Sequence, residues 1–102
     1  MQTRTITIPA AEADEIQGWL DTDKQVPDSG RDEVLRTYTA IFDDGVESDI
    51  KVCNGDTGPY IDAVMFEDGN EIGFLEVRDT LLGVYDFRDD QECYRVIVEK
   101  GA

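Results

Sequence analysis

The spacing of apolar residues predicts one strand and one helix at the start of this chain. Residues 3–8 alternate threonines with Arg4, Ile6 and Ile8, which is typical of a strand with its isoleucines on one face. Pro9 ends this strand and is tolerated at the start of a helix. In residues 10–20 apolar side chains recur three and four positions apart, which predicts a helix that lies on a sheet, with Trp19 as an anchor of the core.

After a polar loop at residues 21–32, the pattern becomes that of β-structure. Six further strands are predicted, at residues 34–42, 46–53, 60–66, 71–77, 83–87 and 93–99. Residues 53–59 contain two glycines and a proline and are expected to form a flexible turn. A chain of 102 residues forms one domain with a single core. We therefore expect an α+β fold over residues 1–102, in which the first strand and the helix precede a six-stranded antiparallel meander of three hairpins.

The predicted turns of these hairpins share a short motif, which is Phe, any residue, Asp, two further residues and Glu. Its three copies occupy residues 42–47, 66–71 and 87–92. The first two contain an Asp-Gly pair, which favours a tight turn because Gly readily adopts positive φ and Asp tolerates it. The third copy lacks the Gly. The motif thus indicates architecture rather than activity.

Apolar residues occur on both predicted faces of the sheet. In the strand at residues 60–66 they occupy odd-numbered and even-numbered positions alike. One helix covers only one face, so we expect a curled sheet or a partly open barrel with the helix packed on it. Residues 46–53 alternate cleanly, which suggests a strand at an edge or on the open face.

The charge of the chain limits its partners. It has 24 acidic and 9 basic residues, a formal net charge of −15. This charge disfavours direct binding to nucleic acid or to an anionic membrane, because both are polyanions. The apolar runs are far shorter than the ~20 residues of a membrane span. Since the N-terminus also lacks the apolar stretch of a signal peptide, we expect a cytoplasmic protein.

Candidate chemistry is restricted by the absence of histidine, which excludes His-assisted Ser or Cys nucleophiles. Cys53 and Cys93 have no CxxC spacing, and free thiols are expected in the cytosol. Paired carboxylates for glycoside hydrolysis are available, but that mechanism needs a cleft that a small antiparallel domain rarely provides. We expect neither an enzyme nor a bound cofactor.

The candidate binding residues are the acids of the three turns and one apolar pair. The turns would lie at one end of the sheet, but the residue spacing of a calcium loop is absent, so no metal is expected. Leu81 and Leu82 either plug the end of the core or form an apolar contact for a partner. The candidate set is Asp43, Asp44, Glu47, Glu67, Asp68, Glu71, Asp89, Asp90, Leu81 and Leu82.

Three segments carry a resemblance to known proteins. They are residues 62–71, which include the second Asp-Gly turn, residues 79–87, and residues 94–98. Together they resemble short acidic proteins of unknown function that are carried by bacterial prophages and other mobile elements. The resemblance implies a bacterial accessory protein and assigns no activity.

The sequence leads to one functional hypothesis and two alternatives. The hypothesis is a non-enzymatic module whose acidic hairpin surface binds a basic protein surface, as a nucleic-acid mimic or inhibitor does. The alternatives are a small-ligand or cation-binding domain, and acidity that serves solubility without a charged partner. Binding requires acids concentrated on one face, whereas solvation spreads them over every face.

Overall fold

A computed structural model describes residues 1–22, 24–27, 30–88 and 92–102. Within them the elements are β1 (Gln2–Ile8), α1 (Ala10–Leu20), β2 (Glu33–Ile41), β3 (Glu47–Gly55), β4 (Gly58–Glu67), β5 (Asn70–Val77), β6 (Gly83–Arg88) and β7 (Cys93–Lys100). The strands form a four-stranded sheet, β2-β3-β4-β5, and a three-stranded sheet, β1-β7-β6. For this part of the chain the predicted α+β class, the helix and the seven strands are confirmed. It contains no helix that is both long and apolar enough to span a bilayer.

The predicted six-stranded meander is wrong, because it is interrupted between β5 and β6. Strands β2 to β5 form an antiparallel meander, and β6 pairs antiparallel with β7. However, β5 and β6 belong to different sheets, and β1 pairs in parallel with β7. Leu81, in the connection between β5 and β6, is completely buried in the core. Burial of this side chain draws the connection inward and separates β5 from β6. The two sheets curl around this core and do not close into a barrel.

The second predicted hairpin turn adopts the conformation that its Asp-Gly pair favours, since Asp68 and Gly69 have φ values of 51° and 82°. Two successive residues with positive φ form a tight turn whose twist matches that of the strands it connects. The first turn is longer, spanning residues 42–46, and in its Asp-Gly pair only Gly45 has positive φ, of 88°. The turn between β6 and β7 falls on residues 89–91, outside the described residues.

The core lies between the two sheets and α1. The helix buries Ala13, Ile16 and Leu20, as its apolar spacing predicts. Trp19 is not the buried anchor that we expected, since it is only partly buried at the margin of the core. The Arg36 guanidinium lies 5.3 Å from the centre of the Trp19 ring. The Trp19 ring therefore lies at the margin of the core and is covered by the Arg36 guanidinium. The centre of the core contains the other apolar residues of the helix.

One face of the four-stranded sheet is left open. Strand β3 was expected at an edge or on the open face; it lies between β2 and β4, so the edge position is wrong. Its alternation is confirmed as far as Val52, after which the residues of β3 are all buried. Ser48, Ile50 and Val52 are completely buried towards the core, whereas Glu47 on the opposite face is exposed. We call that opposite face the outer face. Among the described residues, no element packs over it.

Candidate functional site

The outer face carries carboxylates and apolar side chains next to one another. The strand register places four residues in a row across the sheet, namely Ile41, Glu47, Phe66 and Glu71. The next row consists of Thr39, Asp49, Val64 and Phe74. Side chains directly opposite one another on neighbouring strands are about 5 Å apart. Acidic and aromatic groups are therefore in contact range at the end of the sheet that bears the turns.

A groove lies at this end, between the β2–β3 hairpin and the β4–β5 hairpin. Its volume is about 430 Å³, and it is lined by Gly45, Glu47, Asp49, Phe66, Asp68 and Gly69. We call it the acidic groove. The two turns supply Gly45, Asp68 and Gly69, so the turn conformations determine its rim. Three carboxylates and one aromatic ring thus line the same groove.

The strands hold two of these carboxylates in place. Glu47 and Asp49 are two positions apart in β3 and therefore share a face, about 7 Å from each other along the strand. The Thr39 hydroxyl donates a hydrogen bond to Asp49 Oδ1 at 2.8 Å. Because Thr39 lies opposite Asp49 on β2, this bond directs the Asp49 carboxylate across the sheet.

The carboxylates of the acidic groove have no basic partner within the described residues, which include every Lys and Arg of the chain. Seven of the nine basic residues form ion pairs with other carboxylates. Lys51 instead places its Nζ atom 5.7 Å from the centre of the Phe66 ring. The ion pairs therefore leave the three groove carboxylates uncompensated, as they also leave exposed acids elsewhere, such as Asp21, Asp79 and Glu99.

A further carboxylate adds to the negative charge of the outer face. Asp62 lies opposite Lys51 on one side and Glu76 on the other. Burial, followed by repulsion from Glu76, raises its pKa above the usual value for aspartate. Its Oδ1 atom is buried and has no hydrogen-bond partner among the described residues. Burial thus dominates the raised pKa of Asp62, and the charges of Lys51 and Arg78 partly oppose the repulsion from Glu76.

Two predicted site residues connect the sheets instead of facing a partner. Asp43 forms an ion pair with Arg4 of β1. Tyr94 Oη donates a hydrogen bond to Asp44 Oδ2 at 2.6 Å, and this bond is the main reason why the pKa of Asp44 lies below its usual value. Both acids therefore tie the first hairpin to the three-stranded sheet.

Carboxylates from all three copies of the turn motif act on the pKa of Tyr94. The hydrogen bond to Asp44 and burial raise the pKa of Tyr94 well above its usual value, and the charges of Glu92 and Glu67 raise it further. Asp44, Glu67 and Glu92 belong to the first, second and third copies of the turn motif. Yet within the part of the chain that the structure describes, no group of three or more His, Cys, Asp or Glu residues could hold a metal ion.

The hydrogen bond from Tyr94 to Asp44 predicts a pH-dependent contribution to stability. A lowered folded-state pKa stabilises the fold above the unfolded pKa of about 3.9, and this contribution is lost as the pH falls through the folded-state pKa. Tyr94→Phe is therefore expected to destabilise the protein more at about pH 7 than at about pH 2. Urea unfolding at both pH values measures the difference.

Tyr85→Phe is the matched control for this experiment. The Tyr85 hydroxyl donates to the Leu81 carbonyl oxygen at 2.7 Å, and no carboxylate takes part in this bond. Its loss should therefore cost a similar amount at both pH values. If Tyr94→Phe also shows the same loss at neutral and acidic pH, the bond to an ionised Asp44 is contradicted.

The other predicted site residues lie in several environments. Glu67 and Glu71 are exposed beside the second turn. Asp89 and Asp90 lie outside the described residues. Leu81 is completely buried and Leu82 is partly buried against the core, so the pair plugs the core and Leu81 is not a contact surface.

Two groove residues, Asp49 and Phe66, were not among the predicted site residues. Each had a signal in the sequence. Asp49 follows Glu47 by two positions in a cleanly alternating strand, and Phe66 opens the second copy of the turn motif. What was missing was the register that places β3 and β4 side by side.

Comparison with known proteins gives no match. A scan against protein-family models, a search of the curated proteins and a search of the solved structures each found nothing similar to this chain. The function is therefore inferred from the site itself.

Proposed function

We propose that this protein is a non-enzymatic binding module that holds a basic surface of a partner protein in its acidic groove. The observation that carries the proposal is that three carboxylates, Glu47, Asp49 and Asp68, line the groove together with Phe66 and have no basic partner among the described residues. Arginine and lysine side chains pair with carboxylates and also lie over aromatic faces. A partner with clustered Lys and Arg fits both features.

The clustering of carboxylates at one groove supports binding over a pure solubility role. Acids that only keep a protein soluble are expected to be interspersed with basic residues over the whole surface. Three carboxylates without an ion pair to the described basic residues line a single groove of about 430 Å³. Exposed acids without such a pair also occur elsewhere, for example Asp21, Asp79 and Glu99, so the test must compare the groove with them.

The same feature indicates which basic proteins are the best candidates. Proteins that bind nucleic acid present Lys and Arg at the density needed to neutralise phosphates, and carboxylates at a similar density attract the same side chains. Occupation of such a surface by this domain would block access of nucleic acid. We therefore propose that the partner is a protein with a nucleic-acid-binding surface.

Salt dependence of capture tests the proposal. Immobilised protein should retain basic proteins from a bacterial lysate at low salt and release them as salt rises, because the screening length falls from ~10 Å at ~0.1 M to ~3 Å at ~1 M. Retention that is insensitive to salt would contradict an electrostatic site. If nothing is retained at low salt while the free energy of unfolding rises steadily up to molar salt, the acidity serves solvation and the proposal fails.

A further inference from the structure

The two sheets meet at two seams, and the described residues bridge only one of them with hydrogen bonds. At the seam of β1 and β2, Arg4 Nε donates to the Ile41 carbonyl oxygen at 3.1 Å, and the Asp43 backbone N–H donates to Gln2 Oε1 at 3.1 Å. At the seam of β5 and β6 the described residues form no such bond, and a cleft of about 310 Å³ is present. Because β5 and β6 are both edge strands, each keeps unpaired backbone groups at the cleft.

The cleft is lined mainly by apolar side chains. Ile72 and Phe74 of β5 are 48% and 53% exposed, and Phe87 of β6 forms the opposite wall. A Cβ atom at Gly73 would lie 3.3 Å from the Phe87 ring, so the lack of a side chain there makes room for that ring. An apolar groove beside a free strand edge is the geometry that accepts an extended peptide as an added strand.

Charge distinguishes between a second copy of this chain and a basic partner as the occupant. Every copy carries a formal net charge of −15, so pairing of two copies brings like charges together. Asp86 and Glu92 line the cleft together with Arg88, and Asp86 is ion-paired with Arg88 and Arg95. On the neighbouring outer face, Glu71 of β5 is exposed and has no ion pair with the described basic residues. A strand with alternating apolar and basic residues would therefore place its apolar side chains in the cleft and its Lys or Arg side chains on the outer face.

We propose that the β5–β6 cleft binds an extended segment of the partner in which apolar and basic residues alternate. The segment pairs with the edge of β5, its apolar side chains enter the cleft beside Gly73 and Phe87, and its basic side chains lie on the outer face, where Glu71 is exposed. This rests on the proposed function and adds the form in which the partner is recognised. The cleft and the acidic groove flank the same β4–β5 hairpin, so the two sites are close enough for one partner to contact both.

The test uses a short blocked peptide in which Val and Lys alternate, and a Gly-Lys peptide of equal length and charge as its control. Calorimetry measures both affinities, and amide chemical shifts locate the bound peptide. The Val-Lys peptide is expected to bind at least about tenfold more tightly than the control and to shift the amides of β5 and β6, because only valine fills the apolar cleft.

Two variants separate the cleft from the rest of the surface. Ile72→Ser combined with Phe74→Ser is expected to weaken binding of the Val-Lys peptide at least about tenfold, since both side chains line the cleft. Ile41→Ser is the matched control, because Ile41 is 59% exposed and lies on β2, at the other edge of the sheet. Its affinity for the peptide should be that of the wild type. If the double variant does not fold, the amide chemical shifts of the wild type still show whether the peptide binds at β5 and β6.

The outcomes distinguish this inference from the proposed function. Equal affinity for the two peptides, or shifts confined to the acidic groove, overturns the cleft as the site, while salt-sensitive capture of basic proteins would still support the module. Absence of peptide binding overturns the cleft as well. Self-association in sedimentation that is abolished by the Ile72→Ser and Phe74→Ser pair would identify a second copy as the occupant and would also overturn it.

Discussion

Replacement of Leu81 by Ala is expected to lower the free energy of unfolding by about 2–5 kcal/mol. Leu81 has no exposed surface, and the main chain around it is held on both sides. Its N–H donates to Gln17 Oε1 of the helix at 3.2 Å, and its carbonyl oxygen accepts from Tyr85 at 2.7 Å. Because these bonds restrain the chain, the cavity left by the substitution cannot collapse easily. The loss is large compared with a typical domain stability of about 5–15 kcal/mol.

Leu82→Ala is the matched control, since the same atoms are removed from the next residue. Leu82 is only partly buried, so its loss should be less than half that of Leu81→Ala. Urea unfolding of both variants provides the comparison. Equal losses, or a greater loss at Leu82, would contradict the burial of Leu81 and with it the reason for the break between β5 and β6.

Asn54→Ala is expected to cost about 1–3 kcal/mol, because buried polar groups lose their partner. Asn54 lies in β3 and is completely buried. Its Oδ1 atom accepts a hydrogen bond from the Val26 N–H at 2.8 Å, and its Nδ2 atom donates to the Gly30 carbonyl oxygen at 3.2 Å. This side chain therefore fixes Val26 and Gly30, which lie between α1 and β2, against the sheet.

Asn70→Ala serves as the control for that substitution, since Asn70 is exposed at the start of β5. Its effect should be within about 0.5 kcal/mol of zero. Hydrogen exchange of the Val26 amide, measured with the unfolding experiments, should become faster only in Asn54→Ala. Unchanged exchange at Val26 would show that the position of Val26 does not depend on Asn54.

Local features of the fold could be predicted from the sequence. The helix bounds agree with the prediction, and each strand begins and ends within about two residues of its predicted position. These features depend on periodicity and on turn residues such as Asp68 and Gly69, which act over a few positions. Residues 53–59 are the exception, since they extend β3 to Gly55 and begin β4 at Gly58 instead of forming one flexible turn.

The pairing of distant strands could not be predicted in this way. Alternation in β1 shows that one face is buried, but not that its partner is β7 at the other end of the chain. The same limit applies to the site. Glu47 and Asp68 were found because each belongs to a turn motif, whereas Asp49 and Phe66 join them only through the register of β3 and β4. No local pattern indicates that Asp44 accepts a hydrogen bond from Tyr94, because this bond connects residues that are 50 positions apart.

The central claim is that the acidic groove, and not the net charge as such, binds a basic partner. It is tested most directly by comparing two triple variants that change the net charge equally. One reverses the groove residues through Glu47→Lys, Asp49→Lys and Asp68→Lys. The other reverses three exposed acids that do not line the groove and form no ion pair with the described basic residues, through Asp21→Lys, Asp79→Lys and Glu99→Lys.

Urea unfolding first establishes that both variants fold, because Asp49 is half-buried and Asp68 has a φ of 51°, whereas Glu47 and the three control acids are exposed and contribute little to stability. The amount of basic protein captured from a lysate at low salt is then measured for each variant beside the wild type. The groove variant is expected to lose capture by at least about tenfold, because reversed charges at a contact repel the partner, while the control variant keeps most of it. An equal loss in the two variants, or full capture by the groove variant, would contradict the claim.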